Sequence, residues 1–539
     1  MSTGSATAFE AALDRWRAAL GMENVLTEAE TLRASETATF KTEQTIPAIL
    51  RPSDREQVQE CVRIAADSGT PLYPISSGFN WGYGSRVPVS QNCALLDLRR
   101  MNRIVDFSEE LAYVTVEPGV TQQQLLIYLQ ERKSHLWIDA TGSSPHASLI
   151  GNTMERGFGH TPYGDHFAHC CGLEVVMPNG DCVETGFTRF PNARAGSLYR
   201  WGAGPSIDGL FSQSSLGIVT RMTVWLMPAP EYFQAYFFQC HEDSGLEDLI
   251  EALRPLRLNN TIRSASHIGN DYKVFSSLQQ YPWTETSGET PLRPDRLREI
   301  RTRMKFGAWN GSGGLYGTKG QVAEARRLVK SALSGKVAKL QFLDERKIKF
   351  ASKFAKFYQL ATGWDLTRTL ELVRPVFGLM KGQTTDAPLR SMYWRKRMDI
   401  PTVMDPDRDG CGLLWCAPVA PMKGSEARTV CRIATETLLA HGFEPMISIT
   451  LITERALTCI ITIAYDRAIE GEDEKAMACY RELLAKLSSS GYRGYRLGIQ
   501  SMSEMNGDNG YNRLLNSLKH TLDPKRILAP GRYEPEPIS

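Results

Sequence analysis

Several signals that mark other classes of protein are missing from this chain of 539 residues. Its 62 lysines and arginines nearly balance 60 aspartates and glutamates, and it lacks the basic runs that follow nucleic acid phosphates. It also lacks a C-x-x-C pair, since its 11 cysteines stand at irregular spacings. His166 and His169 are not accompanied by a third ligand motif. We therefore expect no nucleic acid partner, no metal ion and no secreted disulfide framework.

A long uninterrupted apolar run is also absent. The most apolar segment, MISITLITERALTCIITIAY, is broken by Glu454 and Arg455 and alternates polar with apolar residues, as β-strands do. The N-terminal segment carries acidic residues inside its apolar pattern and lacks the basic start of an export signal. The sequence therefore predicts no membrane contact and a cytoplasmic location.

The length of the chain is typical of a large protein with more than one hydrophobic core. Residues 45–75 predict a βαβ unit with a helix initiated by Ser53, and Asn179-Gly180 predicts a β-hairpin. A proline-punctuated stretch near Pro230 indicates a domain boundary, and helices and alternating strands continue to about residue 490. We expect a helical segment over 1–44, a first domain over 45–230, a second α+β domain over 231–490 and a C-terminal segment over 491–539.

Three segments rich in small residues stand out in the first domain, over 74–86, 150–166 and 206–221. The second contains GNTMERGFGHTPYGDH, and because glycine costs ordering entropy we expect a shaped loop there rather than a helix. Consecutive small residues after a strand can turn successive N–H groups toward an anion such as a pyrophosphate. One such segment alone is more often a tight turn, but the three together favour one large ligand. No G-x-G-x-x-G follows the first strand and no G-x-x-x-x-G-K is present, so a nicotinamide or nucleotide-hydrolysing site is not indicated.

These segments also carry a resemblance to a known family. The stretches GNTMERG, TPYGDH, GYG at 82–84, DG-x-FSQS, GIVT, RPLRL at 254–258 and the closing DP and APG resemble the vanillyl-alcohol oxidase and p-cresol methylhydroxylase family of flavoproteins. The resemblance runs from about residue 45 to 533. It implies a two-domain α+β fold that binds FAD in the first domain, with an α+β cap domain over the flavin ring. The C-terminal segment is then expected to return to the FAD domain.

The resemblance implies that FAD lies along the glycine-rich loops, where larger side chains would collide with it. The implied cofactor-binding residues are Pro74, Ser76, Ser77, Gly78, Phe79, Asn80, Tyr83, Gly84, Gly151, Asn152, Glu155, Arg156, Gly157, Gly159, Tyr163, Gly164, Asp165, Gly217, Ile218, Val219 and Arg496.

The resemblance also implies a substrate site. Phenol-oxidising members bind the phenol as phenolate through two tyrosines and an arginine, and the matching residues here are Tyr83, Tyr495 and Arg496. The physical demand is clear, because a buried phenolate needs a fixed cation and O–H donors to offset its desolvation.

Two positions depart from the family. Phenol-oxidising members place an aspartate a few residues before the GN loop, where this chain has Gly142 or Ser143. Asp139 and His146 are the titratable residues nearby, and either could serve as the catalytic base if it points into the cavity.

The second departure concerns flavin attachment. Where the oxidase that names the family carries the histidine joined to the flavin, this chain has Leu413 or Leu414. Leucine has no nucleophilic atom, so we expect FAD to be bound non-covalently. Cys411 and Cys416 are thiols nearby, but a buried cysteine is usually inert.

The sequence thus predicts an FAD-dependent oxidoreductase that removes a hydride from a phenolic 4-alkyl, benzylic or alcohol carbon and passes electrons to oxygen or another acceptor. Oxidation of a non-phenolic alcohol is one alternative, because the missing aspartate is compatible with a changed substrate. A catalytically silent binding protein that retains the fold is an alternative from another class. The number of subunits, including a homo-oligomer, stays open.

Overall fold

The computed structural model describes residues 3–362 and 366–536, in which helices and strands are mixed throughout. The helices are α1 (Thr3–Leu20), α2 (Ala29–Glu36), α3 (Arg55–Ser68), α4 (Gln122–Glu131), α5 (Leu149–Met154), α6 (Leu246–Leu258), α7 (Asp271–Leu278), α8 (Pro294–Met304), α9 (Lys319–Leu333), α10 (Glu345–Thr362), α11 (Leu366–Leu379), α12 (Gly424–Ala440), α13 (Glu472–Ser489) and α14 (Gly510–Leu522). The strands are β1 (Val25–Leu26), β2 (Ile49–Leu50), β3 (Leu72–Ile75), β4 (Ala94–Asp97), β5 (Ile104–Ser108), β6 (Tyr113–Val116), β7 (Leu136–Trp137), β8 (Cys170–Val176), β9 (Cys182–Glu184), β10 (Ile218–Trp225), β11 (Met227–Pro228), β12 (Tyr232–Cys240), β13 (His267–Asn270), β14 (Trp309–Gly317), β15 (Lys339–Leu343), β16 (Cys411–Cys416), β17 (Pro418–Pro421), β18 (Met446–Thr450), β19 (Ala456–Asp466) and β20 (Arg493–Gly494).

The N-terminal part forms a small sheet in the order β1-β2-β4-β3, in which β2, β4 and β3 run parallel. The expected βαβ unit is present, but β4 lies between its two strands. The expected helix start at Ser53 is wrong by one residue. Asp54 caps α3, because its carboxylate accepts a hydrogen bond from the backbone N–H of Gln57.

A five-stranded antiparallel sheet follows, in the order β5-β6-β10-β8-β9. The predicted hairpin at Asn179-Gly180 is confirmed, since β8 pairs with β9 across it. Gly180 has φ +82°, which a side chain would disfavour. α4 and α5 pack on this sheet through a shared apolar core.

The largest sheet has nine strands, with β15-β12-β14-β13-β18-β19-β17-β20 in order and β16 also paired to β19. Its pairings are all antiparallel. Helices α6, α9, α12 and α13 bury their apolar sides against one face. Because strand side chains alternate between faces, polar residues such as Asn310, Ser312 and Thr462 point to the other face, which borders a cavity. The α+β class is confirmed, whereas the boundaries at residues 230 and 490 remain predictions.

The glycine-rich stretch at 151–166 is only partly the loop that its composition predicts. Residues up to Met154 belong to α5, and this helix begins at Ser148, whose hydroxyl accepts a hydrogen bond from the backbone N–H of Gly151 at 3.0 Å. This capping bond offsets the low helix propensity of glycine. The remaining residues turn back on themselves, with a bridge between Phe158 and Asp165.

Candidate active site

A cavity of about 1450 Å³ separates the three glycine-rich segments from the polar face of the nine-stranded sheet. Residues from all three segments line it, together with residues of β12, β13, β14, β18 and β19 and of the C-terminal part of the chain. Such a volume is large enough for a dinucleotide and a small substrate. The cavity therefore joins segments that lie far apart in the sequence.

Most of the residues expected to bind the cofactor lie on this cavity. Those on its wall are Pro74, Ser76, Ser77, Gly78, Phe79, Asn80, Tyr83, Gly151, Asn152, Glu155, Gly157, Gly217, Ile218, Val219 and Arg496. The cavity wall does not include Gly84, Arg156, Gly159, Tyr163, Gly164 or Asp165. These six residues shape the surrounding loops instead, as when Tyr163 stacks on His169 at 4.3 Å and Arg156 donates to the Ser212 hydroxyl.

The wall around residues 76–80 has the properties of an anion cradle. Within the described ranges, the backbone N–H groups of residues 76–80 have no protein acceptor, and buried N–H groups need one. Gly78 has φ +74°, which turns the chain there. A Cβ atom on Gly151 would lie 2.2 Å from the Ser76 hydroxyl oxygen, so a larger residue in α5 would displace the Ser76 side chain in this loop. These features fit the pyrophosphate of FAD.

Glu155 ties the C-terminal part of the chain to the end of α5. Its carboxylate accepts hydrogen bonds from Arg532 at 2.6 Å, from the Tyr533 hydroxyl at 2.8 Å and from Arg496 Nε at 3.3 Å. Burial opposes ionisation of Glu155, but Arg532 and Arg496 hold its pKa below the ordinary value. The network fixes the Arg496 guanidinium beside the cavity.

Tyr83, Tyr495 and Arg496 come together on one wall, although Tyr83 is far from the other two in sequence. The Tyr83 side chain is buried, and the Arg496 guanidinium lies 5.1 Å from the centre of its ring. Burial raises the pKa of Tyr83, and burial raises that of Tyr495 against the opposing effect of Arg496. Both hydroxyls therefore stay protonated and can donate hydrogen bonds beside a permanent cation.

A pair of histidines that sequence reasoning missed also lies on the cavity. The rings of His160 and His267 stack with their centres 4.2 Å apart, and burial lowers the pKa of both. His160 Nδ1 lies 3.2 Å from the Ala140 carbonyl oxygen, an arrangement in which Nδ1–H donates and Nε2 keeps its lone pair. The sequence held one signal for His160, its place inside the GNTMERGFGHTPYGDH stretch.

The two bases proposed from the sequence lie elsewhere. Asp139 is absent from the cavity wall, and its carboxylate accepts hydrogen bonds from the His160 backbone N–H and from the backbone and hydroxyl of Thr161. Burial would raise the pKa of Asp139, but the His166 ring 3.4 Å away and the hydrogen bond from the Thr161 hydroxyl lower it. His146 is exposed and lies off the wall. Both positions give these residues a role in loop structure.

Gly142 and Ser143, which stand where the family resemblance leads us to expect an aspartate, do line the cavity. A Cβ atom on Gly142 would lie 3.2 Å from His160 Cε1. The imidazole of His160 thus occupies the space into which a longer side chain at 142 would extend.

The strand expected to carry a flavin-linking residue turns other side chains toward the cavity. Leu413 and Leu414 are fully buried and lie off its wall, as do Cys411 and Cys416. Burial raises the pKa of the Cys416 thiol to about 12. The residue of β16 on the wall is Trp415, whose ring packs edge-on against Tyr83 at 5.7 Å.

Two other structural observations concern metal ligands and membrane-spanning helices. Across the described residues there is no group of three or more histidine, cysteine, aspartate or glutamate side chains placed to hold a metal ion. In the same ranges, no helix has the length and apolar character needed to cross a membrane.

Comparison with known proteins agrees with the geometry of the site. Residues 46–186 match the model of an FAD binding domain. The chain is 45% identical over 527 residues to the 1'-carboxy-chondrochloren decarboxylase of Chondromyces crocatus, with 97% of each protein covered. It is 32% identical over 531 residues to the flavoprotein subunit of the hydroxylating 4-cresol dehydrogenase of Pseudomonas putida, covering 97% of this chain and 95% of that protein.

Solved structures extend the likeness to the whole fold. Substrate-bound p-cresol methylhydroxylase superposes with a TM-score of 0.86 at 30% identity, covering 98% of this chain and 97% of that one. The isoeugenol complex of the 4-ethylphenol oxidase from Gulosibacter chungangensis gives a TM-score of 0.89 at 26% identity, covering 98% of both chains. With its FAD-binding domain and p-cresol methylhydroxylase-type fold, the chain belongs to the vanillyl-alcohol oxidase and p-cresol methylhydroxylase family of flavoproteins.

Proposed function

We propose that this protein oxidises a 4-hydroxyphenyl substrate at the carbon attached to the ring, with FAD as its cofactor. The observation that carries the proposal is the meeting of Tyr83, Tyr495 and Arg496 on one cavity wall. Two O–H donors and a permanent cation match the needs of a phenolate oxygen held away from water. The named relatives that act on 4-cresol and 4-ethylphenol support this substrate class.

In this proposal the chain lowers the cost of forming the substrate phenolate. Arg496 supplies the positive charge, and Glu155 holds its guanidinium in place. A hydrogen bond to a charged partner contributes about 1.5 to 3 kcal/mol, so the two tyrosines decide much of the binding energy. A phenolate releases a hydride from its ring-attached carbon more readily than a neutral phenol, because the negative charge is delocalised into the ring.

FAD, when bound, supplies the acceptor for that hydride. We propose that it is held non-covalently along residues 74–80 and 151–157, since Leu413 and Leu414 lie off the cavity wall and leucine has no nucleophilic atom. Oxygen or another acceptor then takes up the electrons.

The oxidised substrate can react further in two ways, and each gives a different function. If water adds to it, a proton must leave that water, and His160 is an uncharged base on the cavity wall. We assign this role to His160 in place of Asp139 and His146, because its ring fills the space beside Gly142.

A second candidate function is oxidative decarboxylation. If the carbon next to the oxidised one bears a carboxylate, the bond to CO₂ breaks, its electron pair forms a carbon–carbon double bond, and the ring returns to the phenolate. This route needs no base for water. Glycine at position 142 and the 45% identity to a protein named as a decarboxylase favour it.

Anaerobic titration of the purified protein tests the oxidation. We expect 4-alkylphenols to bleach the flavin absorbance, whereas their 4-methoxy analogues, which cannot form a phenolate, leave it unchanged. Bleaching by aliphatic alcohols but not by phenols would favour the oxidation of a non-phenolic alcohol. Protein that binds the phenols without any bleaching would favour the silent binding protein, and release of CO₂ from carboxylated phenols would identify the second candidate.

A further inference from the structure

Lys273 is a cavity-wall residue to which the oxidation assigns no role. It lies in the first turn of α7, and its Nζ donates a hydrogen bond to the Ser391 hydroxyl at 2.9 Å. Ser391 is 3% exposed and donates in turn to the Pro388 carbonyl at 3.0 Å. Both Lys273 and Ser391 line the cavity. Among the described residues the ammonium group therefore has one hydrogen-bond partner, a neutral hydroxyl, and it borders the cavity.

The charge of Lys273 is not compensated as it is for other buried lysines. Lys396 pairs with Asp466 at 2.6 Å and Lys519 pairs with Asp523 at 2.7 Å. In the ranges that the structure describes, no carboxylate pairs with Lys273. Burial lowers the pKa of Lys273 to about 8, as expected for an amine without a counter-ion.

The acidic residue nearest in sequence does not serve as that partner. Asp271, on the same helix, pairs with Arg301 at 3.3 Å. A buried cation without an anion is costly, and a ligand that brings the anion recovers this cost.

We propose that Lys273, held in place by Ser391, binds a carboxylate on the side chain of the substrate. The inference rests on the proposed function, because it places the phenol at Tyr83, Tyr495 and Arg496 and the carboxylate elsewhere in the same cavity. The Ser391 hydroxyl already donates to the Pro388 carbonyl, so the ammonium supplies the donors, and its single positive charge matches the single negative charge of a carboxylate. The substrate class is then a 4-alkylphenol that bears a carboxylate on its alkyl chain.

Two probes of similar length separate binding of the phenol from binding of the carboxylate. 3-(4-Hydroxyphenyl)propanoate carries the carboxylate, and 4-propylphenol does not. Dissociation constants for both probes, obtained from the concentration dependence of the anaerobic flavin reduction rate, are measured with the wild type and with Lys273→Met. We expect Lys273→Met to weaken propanoate binding about ten- to a hundredfold and to leave 4-propylphenol unchanged. Ser391→Ala should give a smaller loss, also for the propanoate alone.

Arg303→Gln is the matched control. Arg303 also lines the cavity, but it already pairs with Glu285 at 3.2 Å, so its loss should change neither constant. Equal weakening of both probes by Lys273→Met, or no effect on either, would overturn the inference. Ser391→Ala keeps the test decisive if Lys273→Met does not fold.

The failure of the proposed function gives a different result. In that case neither phenol bleaches the flavin of the wild type. The carboxylate site is then judged by calorimetric binding of 3-phenylpropanoate, which lacks the hydroxyl. Tighter binding by the wild type than by Lys273→Met supports the site, and equal binding refutes it.

Discussion

Replacing Glu155 with glutamine should destabilise the protein strongly. Glutamine keeps the size of the side chain and one carbonyl acceptor, but it removes the negative charge between Arg496 and Arg532. Both guanidiniums are largely shielded from solvent, since the Arg496 side chain is 12% exposed and Arg532 is 5% exposed. Removing one partner of a buried ion pair typically costs 3 to 5 kcal/mol, and the acceptor that glutamine keeps recovers part of this loss. We expect the free energy of unfolding to fall by about 3 kcal/mol.

Urea denaturation followed by tryptophan fluorescence measures this effect. The matched control is Glu474→Gln, which removes an exposed carboxylate paired with the exposed Lys41. We expect its unfolding midpoint to equal that of the wild type, because solvent screens such pairs. A Glu155→Gln protein that unfolds at the wild-type midpoint would refute the assignment of a stabilising charge network.

The same network predicts a pH dependence. The pKa of Glu155 lies below its ordinary value of 4.5, so its stabilisation is complete above about pH 4.5 and is lost as the pH falls through the lower folded pKa. The difference between the wild type and Glu155→Gln should therefore shrink below pH 4.5. A difference that stays constant over this range would contradict the reasoning.

Other variants address the cofactor and substrate sites. Gly151→Leu should give folded, colourless protein, because a Cβ atom there would lie 2.2 Å from the Ser76 hydroxyl oxygen; full FAD absorbance would disprove the cradle. Tyr495→Phe should slow phenol-driven flavin reduction about ten- to a hundredfold in stopped-flow traces with FAD still bound, and an unchanged rate would count against the phenolate pocket. Acid precipitation should leave the yellow colour in the supernatant, whereas colour in the pellet would reveal a covalent link. His160→Gln should lower the enantiomeric excess of the alcohol formed from 4-ethylphenol, measured by chiral chromatography, because water would then add without a positioned base; an unchanged excess would exclude His160.

Local patterns in the sequence were sufficient for much of the fold. Alternating strands and capped helices such as α4, which begins at Thr121, follow from side-chain periodicity and hydrogen bonds between near neighbours. The start of α5 was missed, because the capping bond from Ser148 outweighed the propensity of Gly151. Composition alone does not show whether the capping bond or the low helix propensity of glycine has the larger effect.

Some residues of the candidate site could be predicted from the sequence, and others could not. Tyr83, Tyr495 and Arg496 could be named because long motifs carried the family resemblance. His160 and Lys273 could not, since their significance comes from the fold: the His160 ring lies beside Gly142, and among the described residues no carboxylate pairs with Lys273. Conversely, Asp139 looked available in the sequence, and only the structure shows its carboxylate bound by the Thr161 loop.

The network around Glu155 also has a consequence for biosynthesis. A ribosome makes the chain from its N-terminus, and early domains begin to fold while later ones are still being made. The glycine-rich loops and α5 therefore emerge long before Arg496, Arg532 and Tyr533, which neutralise Glu155 and complete the wall. Until those residues arrive, the N-terminal part carries an acidic group in place of a finished binding surface. The cavity wall can therefore be completed only after residues 496–533 have been synthesised.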